Sequence, residues 1–143
     1  MSSEIRPART VDELAACYPV MHALRPHLNG SSELVERVQR QFAQGYRLLA
    51  AWRGAVVVGA AGYRMQENLV CGGFCYVDDL VVAEAERRGG LGAKLLDAVA
   101  VEARAAGHKR LTLDTALDNL LGQRFYFRYG MLPASVRFAK ALD

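Results

Sequence analysis

The spacing of apolar residues changes near Gly45 from a helical rhythm to a strand rhythm, and turns helical again near Leu91. Before Gly45, Ile5 to Arg9 forms a short first strand. Thr10-Val-Asp-Glu13 then fits a capping box, in which hydroxyl and carboxylate satisfy exposed N–H groups at a helix start. The helix continues through Leu14 and Tyr18, and Pro19 is expected to kink or split it. Asn29-Gly30-Ser31 reads as a turn. Ser31 or Ser32 then caps a helix with Leu34, Val35, Val38 and Phe42 on one face, stopped by Gly45.

From Tyr46, YRLLAAWR, a turn at Gly54 and AVVVGAAGYRM read as a strand pair rich in β-branched and aromatic residues. A turn near Glu67-Asn68 and Gly72-Gly73 leads to a long strand, FCYVDDLVVA. A helix follows from Leu91 to Ala106, with Leu95, Val99 and Ala103 at helical spacing, and Gly107 ends it. RLTLDT alternates as a strand, Asn119 to Tyr129 reads as a helix stopped by Gly130, and MLPASVRFAKAL supplies a last strand. Short turns early in this order predict antiparallel hairpins, and helical crossovers later predict parallel pairing. The fold class is therefore α/β (α+β): a mixed, mostly antiparallel sheet flanked by helices. With no repeat and no linker-like run, residues 1–143 read as a single domain.

Composition narrows the function classes. A chain of 143 residues, 52% apolar and 23% charged, can bury one substantial core and is not a disordered chain. Eighteen basic and fifteen acidic residues give a formal charge of +3, scattered without a basic run, so nucleic acid is not implied as a partner. A mild positive balance does favour a polyanionic ligand. The start, MSSEIRPARTVDEL, has no apolar stretch fit for a signal peptide, and no window approaches the ~20 apolar residues of a membrane span. Cys17, Cys71 and Cys75 lack the partners a zinc site needs and read as reduced small hydrophobes. A cytoplasmic protein without a metal or a membrane partner is expected.

The segment YVDDLVVAEAERRGGLGAKLLDAV carries the most chemistry. An apolar strand ends, an acidic turn follows, and Arg87-Arg88-Gly89-Gly90-Leu91-Gly92 opens a helix. Glycines allow the backbone to bend tightly around an anion, the helix start adds its positive dipole end, and two arginines add charge. This is the physical description of a diphosphate cradle. The dinucleotide pattern G-x-G-x-x-G and the triphosphate pattern G-x-x-x-x-G-K-[ST] are both absent. Taken alone, the loop equally fits an ordinary strand-to-helix turn with solvated arginines.

Arg87-x-x-Gly90-x-Gly92 matches the R/Q-x-x-G-x-G/A signature of the GNAT superfamily of N-acetyltransferases, and Asp79-Leu80-Val81-Val82 resembles that family's strand before its cofactor loop. Asn119-Leu-Leu-Gly-Gln-Arg-Phe-Tyr126, followed by Gly130-Met131, resembles the family's N-x-x-A-x-x-x-Y…G-F pattern, with Gly122 in place of alanine and Met131 in place of phenylalanine. The chain is similar to small stand-alone bacterial members. The resemblance implies the GNAT-like acyl-CoA fold, with a splayed parallel strand pair, and acetyl-CoA as co-substrate. It implies that Arg87 and the loop Arg88, Gly89, Gly90, Leu91, Gly92 and Ala93 hold the coenzyme A diphosphate. It further implies that the main chain of Leu80, Val81 and Val82 pairs with the pantetheine arm, that Asn119 hydrogen-bonds that arm, and that Tyr126 points at the sulfur.

An amine attacking a thioester must lose a proton, the acyl oxygen needs a hydrogen-bond donor, and the leaving thiolate needs a proton. An N–H near Val82 suits the second task and the Tyr126 phenol the third; otherwise Tyr126 is a packed helix aromatic. Asp78 is the first candidate for base or substrate anchor and Asp79 the second, against a structural role for either. Strand alternation points them to opposite faces, so that at most one meets the acyl site. Glu84 and Glu86 read as solvated. His108 reads as a helix-end cation and Arg64 as a contact for an acidic acceptor. His22 and His27 fall in the helical region that borders the acceptor site in the family, where either reads as a surface group first and a substrate contact second. Phe125, Tyr126, Phe127 and Tyr129 read mostly as core. The acceptor is an amine of a small molecule or an exposed protein amine. A non-catalytic acyl-CoA sensor and a nucleotide-binding domain are the other readings. Homodimers are common in the family, though no residue pattern here marks an interface.

Overall fold

The computed structural model describes residues 3–143. They divide into two compact units, with the boundary between Thr112 and Leu113.

The first unit opens with β1 (Glu4–Pro7), α1 (Val11–Ala16), α2 (Tyr18–Leu24) and α3 (Ser31–Phe42). It continues with β2 (Tyr46–Arg53), β3 (Val56–Asn68), β4 (Gly72–Val82), a 3-10 turn (Glu84–Glu86) and α4 (Leu91–Ala105), and reaches into β5 (Leu111–Leu113). The strands lie in the sheet in chain order. The hairpin-linked strands β1 to β4 pair antiparallel. β5, reached through the α4 crossover, pairs parallel with β4. Cys75 N–H donates to the Arg110 carbonyl at 2.9 Å there, and the Thr112 hydroxyl to the Cys75 carbonyl at 3.2 Å. The expected mixed sheet is thus the observed one.

Each local signal has a visible cause. The Thr10 hydroxyl accepts from Glu13 N–H while the Glu13 carboxylate accepts from Thr10 N–H, so both halves of the capping box form. Pro19 splits the helical run: α1 stops at Ala16 and α2 restarts with the proline in its first turn, where no N–H is missed. Strand alternation divides β2 between two cores. Leu48, Ala50 and Trp52 pack under α1, α2 and α3, while Leu49 and Ala51 face the other side. That side is covered by α4 through Leu91, Leu95, Leu96, Val99 and Ala103, all buried. α4 lies so close that a methyl group on Gly59 would come within 3.1 Å of Leu95 Cδ1.

Two expectations are corrected in this unit. The α3 N-cap is Gly30, at φ 97°, and no side chain caps it, so neither Ser31 nor Ser32 does so. β3 runs to Asn68, three residues past Met65, because β4 starts earlier than expected, at Gly72, and pairs with the extra length.

The second unit holds α5 (Leu120–Tyr129) and the segment 131–143. The segment forms no strand, contrary to expectation. A strand needs a partner ladder, and Leu113–Asp143 contains no other strand beyond the last residue of β5. Nor are the aromatics of α5 core. None of its residues is fully buried, and Phe127 is exposed.

Candidate active site

The cradle begins where β4 ends. The turn after β4 is tied to the sheet by an ion pair between Glu86 and Arg53 at the end of β2, so Glu86 is held rather than solvated. Arg87 Nε donates to the Val82 carbonyl at 3.3 Å, which folds the chain back on the strand end. Arg88 and Gly90 both adopt left-handed backbone, at φ 73° and 80°. Glycine takes that conformation freely, whereas Arg88 holds it at a cost of about 1–2 kcal/mol. α4 has no side-chain N-cap, and its first backbone bond is Lys94 N–H to the Gly90 carbonyl at 3.1 Å. The N–H groups of Leu91, Gly92 and Ala93 therefore make no hydrogen bond among the described residues. Three free donors at the positive end of a 15-residue helix fit a diphosphate, so the residues present suit coenzyme A.

The strand that leads there offers its main chain. Ala83 N–H donates to Val58 O, so the two-residue alternation of the ladder turns Val81 toward β3 and the main chains of Leu80 and Val82 toward the outer edge. β5 is three residues long against eleven in β4. The remainder of that edge has no strand partner among the described residues.

Asp78 and Asp79 correct the sequence expectation. In the β3–β4 ladder Gly62 is paired with Asp79, but Tyr63 with Val77, so Asp78 is an extra residue with no partner. This bulge breaks the alternation that would have sent the two side chains to opposite faces. Both line one cavity instead, on the α2/α3 face of the sheet. They do not form a dyad, because each has its own arginine. Arg25 donates from Nε and Nη2 to Asp79 Oδ1, at 3.1 and 2.9 Å, and also from Nη2 to the Asp78 carbonyl at 2.9 Å. The Tyr46 hydroxyl donates to Asp79 Oδ2 at 2.7 Å. Burial first, and Asp79 beside it second, push the Tyr46 phenol well above its ordinary value, which keeps it a donor. Gly62 makes room for that hydroxyl: a Cβ there would stand 1.8 Å from it.

Asp78 is less committed. Arg64 Nε donates to its Oδ2 at 3.1 Å, while Oδ1 has no hydrogen bond among the described residues. Burial raises the Asp78 carboxyl above 3.8, against the opposing pull of Arg64. A half-buried carboxylate of raised basicity with one open oxygen is equipped to accept a proton. Arg64 does not offer itself to a ligand, since it also grips Gln44 and Gln41 at 3.2 and 2.6 Å.

The cavity measures about 340 Å³. Met21, Leu28, Leu34 and Val38 form an apolar wall, and Arg25, His27, Arg37, Gln41 and Tyr46 line it beside the two carboxylates. Of these polar residues only Asp78, Asp79 and His27 drew notice in the sequence. Arg25, just after α2, and Arg37, on α3, fall in no motif, and the glycine inside β3 at Gly62 is the one local signal that could have pointed to a close approach there. His22 is tied to Tyr18 and the Leu28 carbonyl, and the His108 ring packs where a Cβ on Gly73 would be.

In the second unit Asn119 is the N-cap of α5. Its Oδ1 accepts from Gly122 N–H at 3.1 Å and its Nδ2 donates to the Thr115 hydroxyl at 2.9 Å. The amide leans so far over Gly122 that a methyl there would meet Nδ2 at 2.3 Å, which accounts for glycine at that position. Tyr126 is half-buried, edge-on to Phe125 at 5.3 Å between ring centroids, and burial raises its phenol above 10.0. It is therefore a protonated phenol at neutral pH.

The fold recurs in solved structures. AAC(6')-Iy, in complex with the bisubstrate analog CoA-S-monomethyl-acetylneamine, superposes with a TM-score of 0.85 at 18% identity, over 100% of both chains. An acetyltransferase of Trypanosoma brucei gives 0.80 at 20% identity, covering 98% of this chain and 99% of that one. Glucosamine-6-phosphate N-acetyltransferase from Arabidopsis thaliana gives 0.78 at 18% identity, over 100% of both. No curated protein sequence matches the chain. A mixed sheet of this order, with an unpaired strand edge leading into an anion cradle, defines the class: an acyltransferase enzyme. The chain belongs to the acetyltransferase (GNAT) family, whose model matches residues 9–131.

Proposed function

We propose that this protein transfers an acetyl group from acetyl-CoA to a primary amine by direct attack on the thioester. The observation that carries the reading is the juxtaposition along β4 of an open, basic carboxylate, a free main-chain edge and three unpaired helix-start N–H groups. The family match across 9–131 supports a single acetyltransferase domain. The free cysteines, two of them buried, suit a reducing cytoplasm.

In this reading the N–H groups of Leu91, Gly92 and Ala93, with Arg87 and Arg88 beside them, hold the diphosphate. Leu80 pairs through its main chain with the pantetheine arm, and Val82, whose carbonyl Arg87 holds, keeps its N–H free on the same edge. The thioester supplies an acyl carbon with a thiolate leaving group. An alkylammonium has a pKa of about 10.4 and no lone pair to attack with. Asp78 Oδ1 takes a proton from it, directly or through water, and its raised pKa narrows the gap that the transfer must cross. The N–C bond then forms as the C–S bond breaks, and the Val82 N–H offsets charge developing on the acyl oxygen. Tyr126 gives its proton to the departing thiolate, and the proton shed by the amide nitrogen restores the phenol. Per turnover, one ammonium and one thioester yield one amide, one thiol and one proton.

Calorimetry with acetyl-CoA, followed by thiol release with a panel of amines, tests the reading. Binding and amine-dependent release are expected. Absence of heat at millimolar acetyl-CoA would overturn it, and binding without release from any amine would return the protein to the class of acyl-CoA sensors. Tyr126→Phe should lower turnover with little change in acetyl-CoA affinity.

A further inference from the structure

Hydrogen-bonding capacity left unspent in the cavity beside Asp78 has a direction. On the acceptor side, Asp79 gives one oxygen to Arg25 and the other to Tyr46, so Asp78 Oδ1 is the one carboxylate oxygen left open among the described lining residues. On the donor side, Arg25 spends Nε and Nη2 but keeps Nη1. Arg37 meets Glu33 through Nε at 3.1 Å and keeps both terminal nitrogens. Gln41 accepts at Oε1 and keeps its Nε2 donors, and the His27 ring has no hydrogen bond among the described residues. Exposure separates these groups. The Asp78 side chain is 24% exposed, against 42% for Arg25 and 46% for Arg37, so the carboxylate is the more enclosed and the arginines are the more open to solvent.

We infer that this cavity takes a small amine whose far end is an oxyanion, a carboxylate or a phosphate, joined to the amine by an aliphatic spacer. The inference rests on the acetyl-transfer reading above and narrows its acceptor. The amine meets Asp78 Oδ1, the spacer lies on Met21, Leu28, Leu34 and Val38, and the oxyanion accepts from Arg37 and Arg25. A guanidinium fork matches a carboxylate or phosphate in geometry as well as charge. Selection comes from these aimed donors rather than from net charge, because Asp79, Asp78 and Glu33 already match Arg25, Arg64 and Arg37. A diamine would set its second ammonium against Arg25 and Arg37 with no open carboxylate to receive it. A volume of about 340 Å³ accommodates a small molecule at the lower end of the usual range for such pockets.

The test is a set of amines of matched length: pentylamine, 1,5-diaminopentane, 5-aminopentanoate and 4-aminobutyl phosphate, each assayed by thiol release from acetyl-CoA. The carboxylate or the phosphate compound should exceed the diamine in kcat/KM by about tenfold or more, and the better of the two identifies the oxyanion. Arg37→Glu should reverse that order. Equal rates, or preference for the diamine, in the wild type would overturn the inference while leaving acetyl transfer intact. If no amine releases thiol although acetyl-CoA binds, the transfer reading fails. Calorimetry with 5-aminopentanoate and 4-aminobutyl phosphate then decides the cavity. Binding that is lost in Arg37→Glu upholds the oxyanion site, and no binding of either compound overturns it.

Discussion

The cradle at the start of α4 and the cavity beneath α2 and α3 both belong to β4, yet they are made of different material. The cradle is main chain. Its donors are the N–H groups of Leu91, Gly92 and Ala93, and its shape comes from left-handed residues at 88 and 90. All of this lies within a few consecutive residues. The cavity is made of side chains drawn from far apart: Arg25 after α2, Arg37 on α3, Tyr46 on β2 and the two aspartates of β4, with Arg64 of β3 held against Asp78. An anion site of the first kind depends on backbone conformation and tolerates many side chains. A site of the second kind depends on each side chain and on one bulge. Substitutions should therefore separate cofactor affinity from acceptor chemistry.

Asp78→Asn tests that separation most severely. It should lower kcat by about 10²- to 10⁴-fold, the usual contribution of a general base, with acetyl-CoA affinity by calorimetry unchanged. The acid limb of kcat/KM should lie above pH 3.8 in the wild type, since burial raises this carboxyl, and vanish in the variant. Stability carries the same signature. A carboxyl whose folded pKa is raised stabilises the fold in full below 3.8, and that contribution is lost as pH rises through the elevated value. The unfolding free energy of the wild type relative to Asp78→Asn should fall across that window in denaturant titrations.

Gly62→Ala attacks the cavity from behind. Its methyl would stand 1.8 Å from the Tyr46 hydroxyl, so Tyr46 must leave Asp79. A stability loss of about 1–3 kcal/mol is expected from denaturation, with a raised KM for the amine and an unaltered Kd for acetyl-CoA. The mirror experiment is Gly90→Val, which places a β-branched residue at φ 80°. The strain of about 1–2 kcal/mol should raise the acetyl-CoA Kd roughly tenfold and leave kcat at saturation nearly intact. A Gly90→Val variant that instead lost acceptor specificity would erase the distinction between the two regions. Thr10→Ala sets the baseline: about 1 kcal/mol lost with the cap, and neither ligand affected.

Much of the molecule was legible because its signals are local. Thr10 and Glu13 capped α1, Pro19 divided α1 from α2, Gly107 followed α4, and Gly90 marked the opening of that helix. Each works through residues within one turn of each other. Two failures were also instructive. The segment 131–143 has a strand-like composition but no ladder within its unit, and pairing is a property of two segments. Alternation sends the aspartates to opposite faces, a rule that holds only for a regular strand, and the register shift at Gly62 is a relation between β3 and β4.

Sequence alone determined the order of elements as far as α5, the parallel crossover and the glycine-rich opening of α4, since periodicity, caps and left-handed glycines act over a few neighbouring residues. Tertiary structure alone decided that Asp78 and Asp79 share a cavity, that Arg25 and Tyr46 occupy one while Arg64 leaves an oxygen of the other open, and that Arg37 lines the same cavity. Those facts depend on side chains up to 54 positions apart meeting across a sheet, and no local pattern encodes such a meeting.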